Sequence, residues 1–137
     1  MTIPANARRA VIQRAEDRCE YCRLSQKGQE ALFHVDHIVP LTAGGTTTLD
    51  NLALACVSCS LRKGARRRAP DPETGKETPL FHPRREVWEH HFRWDGVRIL
   101  GLTPTGRATL AALSMNRPLA LAIRREEALR GRHLASS

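Results

Sequence analysis

The sequence predicts a small α+β fold whose core is held together by four cysteines rather than by a large apolar interior. The cysteines form two Cys-x-x-Cys pairs, Cys19/Cys22 and Cys56/Cys59, with no fifth cysteine in the chain. Between the pairs lie short apolar runs typical of strands, and helical spacing of apolar residues precedes the first pair. The segment from Cys19 to Arg68 spans about 50 residues, which is short for a core stabilised by apolar burial alone.

The paired spacing of the cysteines is typical of a closed, tetrahedral zinc site. Reduced thiols in this spacing bind metal more often than they form disulfides. We therefore expect a structural Zn²⁺ ion on the four thiolates of Cys19, Cys22, Cys56 and Cys59. The alternative is a redox or structural thiol protein, which would form reversible disulfides and bind no zinc.

Composition constrains the compartment and the partner. No run of about eighteen uncharged apolar residues occurs, and Met1 to Arg18 lacks the apolar centre of a signal peptide, so we expect a cytoplasmic protein without a membrane partner. Lys+Arg total 22 against 14 Asp+Glu, for a formal net charge of +8. Only three of these cations are lysines, and guanidinium groups match phosphate oxygens bidentately. The charge therefore favours a nucleic-acid partner over the alternative of a merely solvated surface.

The pattern of apolar, turn and cap residues predicts three regions: a core over 1–68, a linker over 69–79 and a mainly helical extension over 80–137. The linker prediction rests on three prolines and one glycine with almost no apolar side chains. The extension is expected to pack on the core or on a partner subunit. Helices are predicted near 5–17, 57–67, 84–93, 104–115 and 117–131, and strands near 31–35, 49–55 and 97–102.

The segment His34-Val35-Asp36-His37 carries the residues with the most chemistry, and Ile38-Val39-Pro40 follows it. On a strand, His34 and Asp36 share one face, and a bend before Pro40 would let His37 turn towards the same site. Hydrolysis of a phosphodiester needs a divalent cation, a base that titrates near neutrality and a group that orients this base. A carboxylate, an imidazole and a two-sided amide suit these roles, which are met by Asp36, His37 and Asn51.

The order of these elements is more specific than any one of them. It runs from the first cysteine pair through Asp36-His37, Gly44-Gly45 and Asp50-Asn51-Leu52 to the second pair and Lys63-Gly64, and it resembles the HNH endonuclease family over about residues 19–66. The resemblance implies a ββα-metal fold with a treble-clef-like zinc knuckle and one catalytic Mg²⁺ or similar ion. It also implies that His37 is the general base, Asp36 a ligand of the catalytic ion and Asn51 the brace of the loop and the base.

One position departs from the family pattern. The residue directly after the last cysteine is normally His or Asn and ligates the catalytic ion, but here it is Ser60. Mg²⁺ tolerates hydroxyls and keeps several waters, and His34 could supply part of the missing coordination. The alternative is a metal affinity so low that catalysis is weak or lost.

Four of the cations that follow the last cysteine pair are predicted to contact the nucleic-acid backbone: Arg62, Lys63, Arg66 and Arg67. The alternative for them is a solvated helix end that complements its own dipole. Taken together, the sequence predicts a metal-dependent endonuclease that nicks or cuts DNA with Mg²⁺, Mn²⁺ or Ni²⁺. A catalytically weakened scaffold that only binds nucleic acid, RNA as the substrate and a homodimer stay open alternatives.

Overall fold

The computed structural model of the protein describes residues 3–134, which fold as two compact units. The first unit extends to Arg67 and includes His82–Glu86. The second consists of Arg68–Phe81 and the chain from Val87 onward. Helices and small antiparallel sheets make up the structure, so the predicted α+β class is confirmed. Within residues 3–134, no helix has both the length and the apolar character needed to cross a membrane.

The first unit contains a two-stranded antiparallel sheet between two helices in chain order. Helix α1 spans Ala5–Arg14, strand β1 spans His34–His37, strand β2 spans Leu52–Ala55 and helix α2 spans Val57–Lys63. The register pairs His34 with Ala55 and His37 with Leu52. All four residues of β2 are buried, while β1 presents partly exposed residues, so β1 is the strand that can offer side chains to a ligand.

Three boundaries in this unit differ from the prediction, and the two helix ends have a local backbone reason. Helix α1 ends before Glu16 and Asp17, whose φ angles of 55° and 58° are incompatible with a helix. Helix α2 ends at Lys63 because Gly64 adopts a φ of 53°. Arg66 and Arg67, expected on this helix, therefore lie beyond it. Strand β1 begins at His34 rather than near residue 31.

Arginine side chains attach α1 to the sheet. Arg14 donates from Nη1 to the carbonyl of Leu49 at 2.8 Å and from Nη2 to that of Leu52 at 2.6 Å. Arg8 donates to the carbonyl of Phe33 at 2.9 Å. These two cations serve backbone acceptors inside the unit, which explains part of the arginine content without invoking a nucleic acid.

The segment His82–Glu86 joins the first unit through a buried ion pair. Arg84 contacts the carboxylate of Glu20, which is only 4% exposed. The same carboxylate accepts a hydrogen bond from the backbone N–H of Leu54 at 2.8 Å. Burial lowers the pKa of Arg84 to about 10. Because either charge would be costly to bury alone, the pair ties this segment to the strand beside the cysteines.

The second unit contains two β-hairpins and three helices. Strands β3 and β4 span Arg68–Pro70 and Glu77–Pro79, helix α3 spans Trp88–His91, and strands β5 and β6 span Phe92–Asp95 and Arg98–Gly101. Helices α4 and α5 span Pro104–Ala112 and Pro118–Leu129. Thr103 caps α4, since its Oγ1 accepts a hydrogen bond from the N–H of Gly106 at 3.0 Å.

The expected linker over 69–79 is instead most of the β3–β4 hairpin, in which Ala69 pairs with Thr78. Its turn is held by Asp71, whose buried carboxylate binds Arg107 of α4 through two hydrogen bonds of 3.0 and 2.8 Å. Prolines at Pro70 and Pro79 are tolerated because a two-stranded hairpin consists of edge strands only. The extension is also less helical than predicted, since it contains the β5–β6 hairpin.

Candidate functional site

The four cysteines converge in the first unit. Cys19 and Cys22 form a turn after α1, and Cys56 and Cys59 form a second turn at the start of α2. In each turn the later backbone N–H donates to the earlier sulfur at 3.4 Å. All four side chains are buried, and their Sγ atoms lie within 4.8 Å of one another.

This cluster fits a structural zinc ion. Ligands at about 2.3 Å from a tetrahedral zinc place the sulfurs about 3.8 Å apart, and Cys22 Sγ lies 3.6 Å from Cys56 Sγ. That separation is far longer than the roughly 2.05 Å of a disulfide bond. Burial raises the pKa of Cys19 well above its ordinary value, so a cluster of buried thiolates requires a cation to neutralise it.

The exposed edge of β1 carries a second cluster, in which the predicted residues meet α2. His34 Nδ1 lies 2.9 Å from Ser60 Oγ, so the first histidine of the segment and the serine at the unusual position are hydrogen-bonded. Asp36 Oδ2 is buried and has no hydrogen-bond partner among residues 3–134. The nearest described cation is the ammonium of Lys63, 3.6 Å from that oxygen.

His37 follows on the other side of the strand but lines the same cleft as Asp36. The cleft has a volume of about 240 Å³, and its other lining residues are Pro40, Leu41, Thr42, Gly64 and Ala65. His37 Nε2 lies 2.9 Å from Thr47 Oγ1, and no described residue hydrogen-bonds its Nδ1. Thr47 was missed from the sequence, where the run Thr46-Thr47-Thr48 indicated only a loop.

Asn51 braces the loop that follows β1. Its Oδ1 accepts from the N–H of Val39 at 2.9 Å, and its Nδ2 donates to the carbonyls of Val39 and Thr46 at 3.0 and 2.8 Å. Gly45 lies against the same backbone, where a Cβ atom would be 1.8 Å from the carbonyl oxygen of Val39. The loop between β1 and β2 is therefore tightly packed, and it places Thr47 beside the ring of His37.

Lys63 differs from the prediction that it contacts the nucleic-acid backbone. Its side chain is 2% exposed, and its Nζ donates to the carbonyl of His37 at 3.1 Å. The neighbouring cations remain exposed around the end of α2: Arg62 donates to Ser58 Oγ at 3.1 Å, and Arg66 donates to the carbonyl of Arg62 at 2.8 Å. Arg67 is exposed as well.

A second metal centre would have few side-chain ligands. Among residues 3–134, the four cysteines are the only group of three or more His, Cys, Asp or Glu whose ligand atoms come this close together. The β1 edge offers Asp36, with His34 and Ser60 beside it. This donor set suits an ion such as Mg²⁺, which prefers carboxylate oxygen and keeps several waters.

Residues 19–66 match the model of a protein family described as HNH endonuclease. The match covers about a third of the chain, contains both cysteine pairs and confirms the resemblance seen in the sequence. It indicates a nuclease or another nucleic-acid-related function. No curated protein and no solved structure shows significant similarity to the chain.

Proposed function

We propose, on the premise that residues 19–66 form an HNH endonuclease domain, that the chain is a metal-dependent endonuclease which hydrolyses phosphodiester bonds of DNA. The observation that carries this proposal is the shared cleft of Asp36 and His37. Asp36, whose buried Oδ2 accepts no hydrogen bond from residues 3–134, and His37, whose Nδ1 is hydrogen-bonded to no described residue, both line this cleft.

His37 is the proposed general base. In the tautomer we propose, Nε2–H donates to Thr47 Oγ1, which leaves the lone pair on Nδ1 for the proton of an attacking water. Thr47 is held by the loop that Asn51 braces. The ring thus has a fixed orientation, as a base that acts on a positioned water requires.

Asp36 is the proposed ligand of a divalent ion, with His34 and Ser60 contributing directly or through water. When bound, such an ion supplies neutralisation of the charge that develops on the scissile phosphate and the leaving oxygen. Arg62, Arg66 and Arg67 are the proposed contacts to the nucleic-acid backbone. Contacts of this kind position the substrate without reading its sequence.

The test is an assay on supercoiled plasmid with Mg²⁺, Mn²⁺ or Ni²⁺, comparing the native chain with His37→Ala. We expect divalent-dependent nicking that falls by about 10²–10⁴-fold in the variant, the usual contribution of a general base. Thr47→Val should lose part of the rate and Thr47→Ser should keep it. Zinc content and circular dichroism establish that each variant is folded, and equal nicking by folded His37→Ala would contradict the proposal.

The observation that favours a second candidate is Ser60, which replaces a stronger ligand and is already hydrogen-bonded to His34. In that case the chain is a zinc-stapled scaffold that binds nucleic acid without cutting it. Salt-dependent binding of duplex DNA with no nicking under any of the three metals would support this alternative. A parallel assay on single-stranded RNA distinguishes the nucleic-acid class.

A further inference from the structure

The buried ammonium of Lys63 lies between the two residues that the proposed reaction depends on. Lys63 is the last residue of α2, and its side chain is 2% exposed. Its Nζ donates to the carbonyl oxygen of His37 at 3.1 Å and lies 3.6 Å from Asp36 Oδ2. A desolvated ammonium requires such partners, so α2 and β1 are joined by a charge at the edge of the candidate site.

The Asp36 carboxylate is attracted to the ammonium of Lys63, but it forms no hydrogen bond with it. A separation of 3.6 Å is too long for a hydrogen bond, and Asp36 Oδ2 accepts none from any residue between 3 and 134. The oxygen therefore lies within salt-bridge distance of Lys63, and no hydrogen bond from the described residues occupies its lone pairs. This is the condition of a carboxylate that can still bind a metal ion.

We infer that Lys63 is a positioning residue that orients Asp36 and His37 and, in doing so, weakens the binding of the divalent ion. The inference rests on the proposed function. Mg²⁺ or Mn²⁺ at about 2.1 Å from this carboxylate oxygen would lie within about 6 Å of the ammonium. Charges of +2 and +1 at this distance repel strongly even at an effective dielectric constant of about 20.

Two effects of Lys63 on the ion oppose each other. Its attraction to Asp36 preorganises the ligand, which favours binding, and its own charge repels the ion, which opposes binding. The repulsion is the larger effect, since the attraction acts on a carboxylate of charge −1 whereas the repulsion acts on an ion of charge +2. The turnover number is expected to fall when Lys63 is replaced by a residue that cannot donate a hydrogen bond. Without the hydrogen bond from Lys63 to the His37 carbonyl, the strand that carries the general base is held less rigidly.

Removal of the Lys63 side chain should raise the affinity for the divalent ion and lower the turnover number. The test uses the full chain with its zinc site loaded. Mn²⁺ is titrated into the protein, and free Mn²⁺ is followed by electron paramagnetic resonance. We expect Lys63→Met and Lys63→Gln to bind Mn²⁺ at least about tenfold more tightly than the native chain. Lys63→Arg, which keeps the charge, should stay within about threefold of native affinity. At saturating Mn²⁺ Lys63→Met, which also loses the hydrogen bond to the His37 carbonyl, should cut plasmid more slowly than the native chain.

Lys63→Gln provides a second measurement if Lys63→Met does not fold, since its amide can still donate to the carbonyl of His37. Unchanged or weaker Mn²⁺ binding in a folded neutral variant overturns the inference. Asp36→Asn separates this result from failure of the proposed function. If Asp36→Asn abolishes Mn²⁺ binding while the neutral Lys63 variants bind as the native chain does, only the inference about Lys63 is wrong. If Asp36→Asn binds Mn²⁺ normally, the proposed metal site and the inference are both wrong.

Discussion

Asn51 holds the main chain of Val39 from both sides: its Oδ1 accepts the Val39 N–H at 2.9 Å, and its Nδ2 donates to the Val39 carbonyl at 3.0 Å. The same Nδ2 reaches the carbonyl of Thr46 at 2.8 Å. One buried carboxamide thus closes the loop between β1 and β2 and places Thr47 beside the ring of His37. Among uncharged side chains only a carboxamide can accept one hydrogen bond and donate two in this way, and glutamine, the other carboxamide, is one methylene longer.

Asn51→Ala should therefore destabilise the first unit by about 2–4 kcal/mol, because three partly buried backbone groups lose their side-chain partner at once. Urea denaturation followed by circular dichroism measures the change. Asn6→Ala is the matched control, since Asn6 is exposed and contacts only its neighbour Ala7, and it should change the free energy of unfolding by less than about 0.5 kcal/mol. Equal effects in the two variants would show that Asn51 does not brace the loop.

Ser60→His should shift the divalent-ion dependence of nicking to lower concentrations. The position faces His34 at 2.9 Å, and an imidazole there replaces a poor neutral ligand with a good one. The measurement is the initial rate of plasmid nicking over a Mn²⁺ series, with Ser58→His as the control on the same helix. Unchanged or lower activity at low Mn²⁺ in Ser60→His would argue that this position is not at the metal.

Zinc removal should unfold the first unit. Structural zinc contributes about 10–16 kcal/mol in small zinc-binding peptides, more than the usual stability of a whole domain. We expect one zinc per chain by elemental analysis, and loss of both zinc and thermal stability in Cys59→Ser. Ser58→Ala, one residue earlier, should retain both. A folded Cys59→Ser protein without zinc would contradict a structural role for the ion.

The ion pair of Asp71 and Arg107 should make the second unit acid-sensitive. Hydrogen bonds from Arg107 lower the pKa of Asp71 to about 2, below its value of about 4 in an unfolded chain. Because the folded pKa is the lower one, the stabilisation is complete above about pH 4 and is lost as the pH falls towards 2. Thermal melting across this range should show a smaller pH dependence in Asp71→Asn. Glu73→Gln, which removes a largely exposed partner of Arg107, should behave like the native chain.

Patterns within the sequence were enough to predict the parts of the molecule that depend on local chemistry. The cluster of four cysteines follows from the two cysteine pairs, because a turn of four residues brings its own two sulfurs together. The starts of the helices predicted near 104 and 117 depend on local backbone geometry as well, since Thr103 caps α4 and a proline occupies the first turn of both helices. The α+β class and the family resemblance over about 19–66 follow from the order of such features.

The tertiary structure alone decided which side chains meet across distant segments. Residues 69–79 were predicted to be a linker, because the hydrogen bonds from Arg107 to Asp71 that hold the hairpin turn join residues more than thirty positions apart. Lys63 was assigned to the surface with the other cations, yet the end of α2 turns it against β1, where burial and Asp36 give it a different role. Thr47 carried no signal of its own, since its place beside His37 exists only after Asn51 closes the loop. Local chemistry determines the helices, strands and cysteine turns of this protein. Long-range packing determines the partners of charged side chains such as Lys63 and Asp71.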